Sequence, residues 1–367
     1  MAQRIDPRGH HGRGSVNNPT GRFQTLTTDP FDDGWGTWDE TLGQAPPPLH
    51  TRLHAEHSRS ILSHNDSPDL PFAQSINPYQ GCEHGCTYCY ARPTHAYWNH
   101  SPGLEFETEI YYKADAPALL EEALRKPSYQ VQPTLLGANT DPYQPSERKL
   151  SLTRRILEVL LAFQHPIRII TRSNLILRDL DLLSALAEKR LVAVFISLTT
   201  LDRQLARQME PRAPTPSRRL EAIRQLSEAG IPIGVMTAPL ILGLNEPELE
   251  QLLEAAHEAG ATRAGYTLLR LPHEVKDVFL PWLARTYPEK AGRVEALIRS
   301  SRGGTLNKSE FGTRMRGEGP FAELVRKRFH LTCQRLRLNQ EKVILDDSRF
   351  APPPRAGDQL SLFGFRV

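Results

Sequence analysis

Cysteine is scarce in this chain, four among 367 residues, which excludes a disulfide scaffold. No apolar run is long enough to span a bilayer. Residues 1–13 are polar and basic and lack the apolar segment of a secretory signal. These absences set the expectation of a reducing, cytoplasmic setting with no membrane partner. Charge of one sign is lacking too: the net charge is only +3, so the overall field does not demand a polyanion. The length accommodates one large domain with extensions.

What the chain does have is concentrated. Three of the four cysteines, Cys82, Cys86 and Cys89, fall within QSINPYQGCEHGCTYCYARPTHAYW (Gln74 to Trp98). Their spacing is C-x3-C-x2-C. Thiolates are soft ligands suited to zinc or iron–sulfur clusters. Structural zinc takes four protein ligands, whereas three close cysteines suit a cubane cluster with one iron left open. Two other readings stay open here: a zinc loop completed by His84, His95 or His100, and inert buried thiols.

From Phe72 onward strand and helix patterns alternate. The expected strands are Phe72 to Tyr79, Val131 to Ala138, Pro166 to Thr171, Leu191 to Leu198, Ile231 to Leu240 and Ala264 to Leu271. Helices are expected at Arg148 to Phe163, Arg178 to Lys189, Pro216 to Ala229 and Pro247 to Ala259, with Gly230 and Gly260 closing the last two. Such alternation means parallel strands with crossover helices. The expected fold is α/β, an incomplete (β/α)6 TIM-type barrel with its chemistry at the carboxyl ends of the strands. Residues 1–64 read as a poorly structured basic and Pro-rich extension whose Trp35 and Trp38 dock on the body. Residues 65–272 form the core, 273–345 a helical, basic extension, and 346–367 a Pro-rich linker and tail. Arg326, Lys327, Arg328, His330, Arg335 and Arg337 make a stripe that suits either DNA phosphates or plain solvent.

The cysteine spacing with an aromatic before the third cysteine resembles the radical S-adenosylmethionine (SAM) superfamily. With TDPYQPSE, the Ser-Leu-Thr-Thr strand end, EPRAPTPSRRL and LLRLP, the likeness narrows to the spore photoproduct lyase-related branch, often labelled "DNA repair photolyase". The resemblance covers roughly residues 65–329. It implies a [4Fe–4S] cluster on Cys82, Cys86 and Cys89, SAM on the open iron, and a 5′-deoxyadenosyl radical. It places Tyr88 against the adenine, Asn139, Thr140 and Asp141 at the amino group, Ser197 and Thr199 at the ribose, and Arg172 or Arg212 at the carboxylate. It further implies a lyase-like enzyme acting on DNA, and an electron donor such as flavodoxin or ferredoxin. RNA, peptide or metabolite substrates, and a non-catalytic iron–sulfur sensor, are the alternatives.

One departure bears on the reaction. Spore photoproduct lyases carry a hydrogen-donating cysteine near the second strand, but here the stretch reads Gly137-Ala138-Asn139-Thr140-Asp141. Tyr143, Tyr266 and the distant Cys333 are the candidate donors. Beyond the spacer Ala351 to Gly357, the segment Gln359-Leu360-Ser361-Leu362-Phe363 resembles the bacterial sliding-clamp-binding motif. The expectation is that Gln359, Leu360, Leu362 and Phe363 fill pockets on the clamp.

Overall fold

The six apolar runs expected as strands all form, and in the expected order. The computed structural model describes residues 12–24 and 49–355. Its strands are β1 (Arg52–Glu56), β2 (Leu62–His64), β3 (Gln74–Ile76), β4 (Tyr79–Gln80), β5 (Glu109–Lys113), β6 (Thr134–Leu136), β7 (Ile167–Thr171), β8 (Val192–Ser197), β9 (Ile233–Leu240) and β10 (Arg263–Leu268). The main sheet runs β10-β9-β8-β7-β6-β3-β2. Every pair from β3 to β10 is parallel, and β2 adds an antiparallel edge. The first and last parallel strands do not pair, so the barrel is incomplete. A second small sheet, β1-β5-β4, lies outside it.

Continuous apolar character is what a strand covered on both faces requires. In β8, Val192, Val194 and Ile196 are fully buried. The helix Pro216–Glu228 starts with proline in its first turn and stops at Gly230, whose φ of 73° suits a C-terminal cap. The helix expected from Arg148 to Phe163 is instead broken at Ser151, which adopts a φ of 48° between Glu147–Leu150 and Leu152–Ala162. Glu147 explains the break. Its carboxylate accepts from the Leu152 and Thr153 amides at 3.0 Å each, capping the second segment in place of a continuing turn.

Two expectations about the extensions change. Residues 12–24 are not a loose arm: Arg13, Ser15, Val16 and Asn17 are all buried. The helix Gly319–Arg335 uses much of its basic stripe internally. Arg328 pairs with Glu246 and Glu250, Arg335 with Glu254, and Arg326 with Glu323. Arg328 and Arg335 thereby anchor the helix to the body, whereas Arg326 pairs within its own helix.

The segment between the helices Pro288–Ser300 and Gly319–Arg335 bridges the open barrel. Leu268 of β10 donates to the Met315 carbonyl at 2.9 Å. On the other side, Arg314 and the Gly312 amide both reach Asp69, just past β2, at 2.7 Å. Buried Arg302 holds the strap by donating to the carbonyls of Leu268, Leu269, Thr313 and Arg314. The sheet's two edges are thereby joined by a loop instead of by a strand ladder. Among the described residues no helix is long and apolar enough to cross a membrane.

Candidate active site

The cysteine loop follows β3 and β4 at the carboxyl end of the sheet. Cys82 and Cys86 are buried, and Cys89 is partly exposed. The loop's backbone is tied on several sides: the Cys82 amide to the Phe106 carbonyl at 2.9 Å, the Glu83 amide to Gln144 Oε1 at 2.9 Å, and the Thr87 amide to the Met209 carbonyl at 3.1 Å. Arg92, wholly buried, donates to the Cys86 carbonyl at 2.9 Å and to the Glu107 carboxylate at 2.6 Å.

Glu107 gathers more than Arg92. Its two oxygens also accept from the Gly14 amide at 2.9 Å and the Ser15 amide at 2.8 Å. Arg13 donates to the Glu107 carbonyl at 2.7 Å. Residues 13–15 are therefore seated directly on the cysteine loop. Gly14 is required by the close approach, since a Cβ there would lie 1.7 Å from the Gly85 carbonyl oxygen. Gly85 itself holds a φ of 69° in the middle of the loop. Neither Glu107 nor Gly14 stands out in the sequence, because their partners lie far along the chain.

A second buried network faces the loop from the strand ends. Arg172, just past β7, donates to Cys86 Sγ at 3.0 Å, Tyr88 Oη at 2.8 Å and Glu210 Oε1 at 3.0 Å. Tyr88 also donates to Glu210, and its ring lies 5.9 Å from the Arg172 guanidinium. Thr199 donates to Glu210 at 2.9 Å, and buried Arg219 pairs with its other oxygen. Burial alone would raise the Glu210 pKa, but Arg219 and Arg172 outweigh it and hold the carboxyl at about 2. Glu210 heads the segment EPRAPTPSRRL, but the sequence by itself assigns it no role. Its role is not readable without the fold, because its partners Tyr88, Arg172 and Arg219 come from three other places in the chain.

Asp141 plays the matching part on the other side of Arg172. It accepts from Thr171 Oγ1 at 2.6 Å, the Arg172 amide at 2.9 Å and the Tyr143 amide at 2.9 Å. Burial opposes its ionisation, yet nearby His84 and Arg172 hold the pKa far below the usual carboxylate range. Thr140 donates to the Tyr79 carbonyl at 2.7 Å. Ser197 closes β8, and its carbonyl accepts from Arg219 at 3.2 Å. Asn139 takes its amide to Asn77 Oδ1 at 2.9 Å and lines an open cavity. Arg212 stands apart from the Arg172 network, paired with Glu83 at 2.9 Å.

The three candidate hydrogen donors are not gathered at this site. Tyr143 is fully buried in the main core. Tyr266 on β10 packs against Phe329 of the C-terminal helix, ring centroids 4.7 Å apart. Cys333 is buried in that same helix, its thiol raised to about 11 by desolvation. Among the described residues no hydrogen bond or ring contact joins any of the three to the cysteine loop. The tail residues Gln359, Leu360, Leu362 and Phe363, and also Trp35 and Trp38, lie outside the described residues.

The donor set fits an iron–sulfur cluster better than zinc. Each of the three histidines has other company: His95 Nε2 bonds the Glu109 carbonyl at 2.9 Å, His100 bonds Glu105 and Tyr111, and His84 faces Asp141 at 3.5 Å. Among the described residues no three His, Cys, Asp or Glu side chains converge on a single ion. A cubane does not ask them to, because each thiolate binds a different iron. Burial raises the Cys82 thiol well up, and raises Cys86 to about 12 even against the nearby Arg172. Thiols so placed ionise only beside a strong cationic partner, which iron supplies.

Comparison with known proteins agrees. The radical SAM superfamily profile matches residues 76–256. An uncharacterized protein of Mycobacterium bovis is 39% identical over 232 residues, covering 63% of this chain and 68% of that one. An uncharacterized protein of Methanocaldococcus jannaschii is 28% identical over 173 residues, covering 47% and 62%. Among solved structures, spore photoproduct lyase complexed with dinucleoside spore photoproduct aligns with a TM-score of 0.58 at 16% identity, over 77% of this chain and 79% of that one. A mutant of that lyase with bound AdoMet and dinucleoside spore photoproduct aligns with a TM-score of 0.57 at 18% identity, over the same shares. At these identities the likeness is one of fold. The superfamily uses a [4Fe–4S] cluster and SAM, and Cys82, Cys86 and Cys89 are the thiols in this chain that suit the cluster. By its cysteine loop, its open parallel sheet and its relatives, the chain belongs to the radical SAM superfamily.

Proposed function

We propose that this radical SAM enzyme acts on DNA as a repair-type lyase and is brought to its substrate by a tail that binds the replication sliding clamp. The observation that carries the DNA reading is the fold shared with spore photoproduct lyase, which covers 77% of this chain and so extends beyond the residues 76–256 matched by the superfamily profile. The cluster and SAM together supply a 5′-deoxyadenosyl radical for hydrogen abstraction. The chain's own residues hold the site around them. Cys82, Cys86 and Cys89 are the cluster ligands. Arg172, fixed between Asp141 and Glu210, presents a guanidinium fork beside Cys86 where a carboxylate can be met. Tyr88, anchored through its hydroxyl, offers its ring to the adenine. Asn139, Ser197 and Thr199 complete the polar strand ends, and Arg212, paired with Glu83 outside the Arg172 network, is the other candidate carboxylate partner. A base to be attacked must be single-stranded or extruded from the duplex. The electron comes from a flavodoxin or ferredoxin.

The test is anaerobic reconstitution, then mass spectrometry of ultraviolet-damaged DNA incubated with SAM and reductant. Loss of a lesion in step with 5′-deoxyadenosine release is expected. SAM cleavage that leaves every lesion untouched would argue for another substrate.

Two further outcomes are expected. Cys333 is packed among core residues, so Cys333→Ala should turn over within about twofold of wild type, in contrast to the transition-state losses that follow removal of a reacting group. A tenfold loss with an unchanged cluster would make it the donor after all. For the tail, Leu362 and Phe363 are the anchors, each contributing roughly 1.5–3 kcal/mol on burial. The double variant Leu362→Ala/Phe363→Ala should abolish a micromolar complex with purified clamp. Equal affinity of the two proteins in a titration would remove the clamp from the account.

A further inference from the structure

Beside the cysteine loop, an open cavity of about 400 Å3 lies between Asn77, Gln80, Thr94, Trp98, Lys113 and Asn139. It runs along the 3-10 helix Arg92–Trp98 to the end of β5, and Asn139 on its wall adjoins Ala138, whose carbonyl accepts from Tyr90 next to Cys89. Lys113 is only 8% exposed. Among the described residues its ammonium has neither a hydrogen-bond acceptor nor an ion-pair partner. Glu56, opposite it in β1, acts only at longer range and does not cancel the burial that lowers the lysine's pKa. The side-chain amides of Gln80 and Asn139 likewise make no hydrogen bond within the described chain.

The rim is aromatic and rigid. Trp98 is stacked on Tyr111 with centroids 4.3 Å apart and planes at 18°. Tyr97 is 71% exposed and touches Phe23 at 5.1 Å, with the Arg22 guanidinium 5.3 Å from the Phe23 ring. The lysine's stem is buried while its ammonium opens on the cavity, so an anion entering there meets a cation that no carboxylate holds at ion-pair distance. Exposed Tyr97 and partly exposed Trp98 at the same place offer rings to a planar ligand. A carboxylate alone would satisfy the lysine and leave the rings unused, whereas a nucleotide offers a phosphate, a base face and a polar base edge together.

We propose that this cavity binds one nucleotide of single-stranded nucleic acid, with its phosphate on Lys113, its base against Tyr97 and Trp98, and its edge at Gln80. The position beside the Tyr90–Ala138 contact makes it a site for a nucleotide flanking the one that reacts. The inference rests on the nucleic-acid reading above.

The experiment measures anisotropy of a fluorescein-labelled oligothymidylate against full-length reconstituted protein over a series of salt concentrations. Lys113→Met keeps the stem and removes the charge, Lys113→Arg restores a cation, and Tyr97→Ala changes a side chain too exposed to threaten folding. Lys113→Met should weaken binding about tenfold and lower the salt slope by ~0.7, the share of one phosphate contact on a single strand. Lys113→Arg should recover most of both. Tyr97→Ala should weaken binding about fivefold or more with the slope unchanged, as loss of one stacked base does. Competition by thymidine 5′-monophosphate would support a free nucleotide as the occupant, and its failure to compete a strand. Wild-type affinity and slope in both Lys113→Met and Tyr97→Ala would overturn the cavity while leaving the nucleic-acid reading intact. No binding by the wild-type protein would overturn the proposal outright. SAM cleavage without nucleic acid, unaffected in these variants, keeps the two failures apart.

Discussion

Anaerobically purified protein in which Cys82, Cys86 and Cys89 are all alanine is expected to carry no iron–sulfur cluster and to cleave no SAM. Iron and sulfide analysis should fall to background while the wild type holds one [4Fe–4S] cluster. The reason lies in the loop. Three thiols on a tied backbone leave one iron for an outside ligand, and among the described residues no histidine gathers with them into a set that could hold a single metal ion. The variant should still fold, because the loop's anchors are backbone bonds and Arg92 rather than the thiols. Adding SAM to the reduced wild-type protein should perturb its electron paramagnetic resonance spectrum. An unchanged cluster in the triple variant would end the assignment, and an unperturbed spectrum would favour a redox sensor.

The second large effect is expected at Glu107. Its pairing with Arg92 is wholly buried on both sides, and it also satisfies the Gly14 and Ser15 amides. Glu107→Ala leaves the buried Arg92 charge without its counter-ion, though still bonded to three carbonyls, and strands the Gly14 and Ser15 amides, which costs on the order of 3–5 kcal/mol. That is a large share of the stability of an ordinary domain. Chemical denaturation should show it as a lower midpoint, and the cluster should be lost faster on exposure to air. Gly14→Ala separates the two parts of this effect. The added methyl meets the Gly85 carbonyl and lifts residues 13–15 from the loop, yet leaves Arg92 paired. It should destabilise less and expose the segment to protease. An unfolding free energy for Glu107→Ala within about 1 kcal/mol of wild type would show that water or another group takes over the pairing.

Much of this was legible in the chain itself. Apolar runs such as VAVFIS read as strands because a sheet covered on both faces needs them, and Gly230 ends a helix wherever it is placed. The cysteine spacing is local, so the cluster site stands in the sequence complete. The break at Ser151 was not legible, because the cap that causes it sits four residues earlier in a side chain of ordinary helix propensity.

The sequence alone thus determined the order of the parallel strands, the helices between them and the cluster loop, since each depends on neighbours within one or two turns. Only the tertiary structure decided the rest. It brought Gly14 and Glu107 together across 93 positions and Tyr88 and Glu210 across 122. It spent the arginines of the last helix on Glu246, Glu250 and Glu254, and it joined the sheet's edges through Asp69 and Arg314. A buried charge is worth keeping only with its partner in place. Nothing in the composition of a basic Gly-rich stretch or an arginine stripe tells which partner the fold will supply.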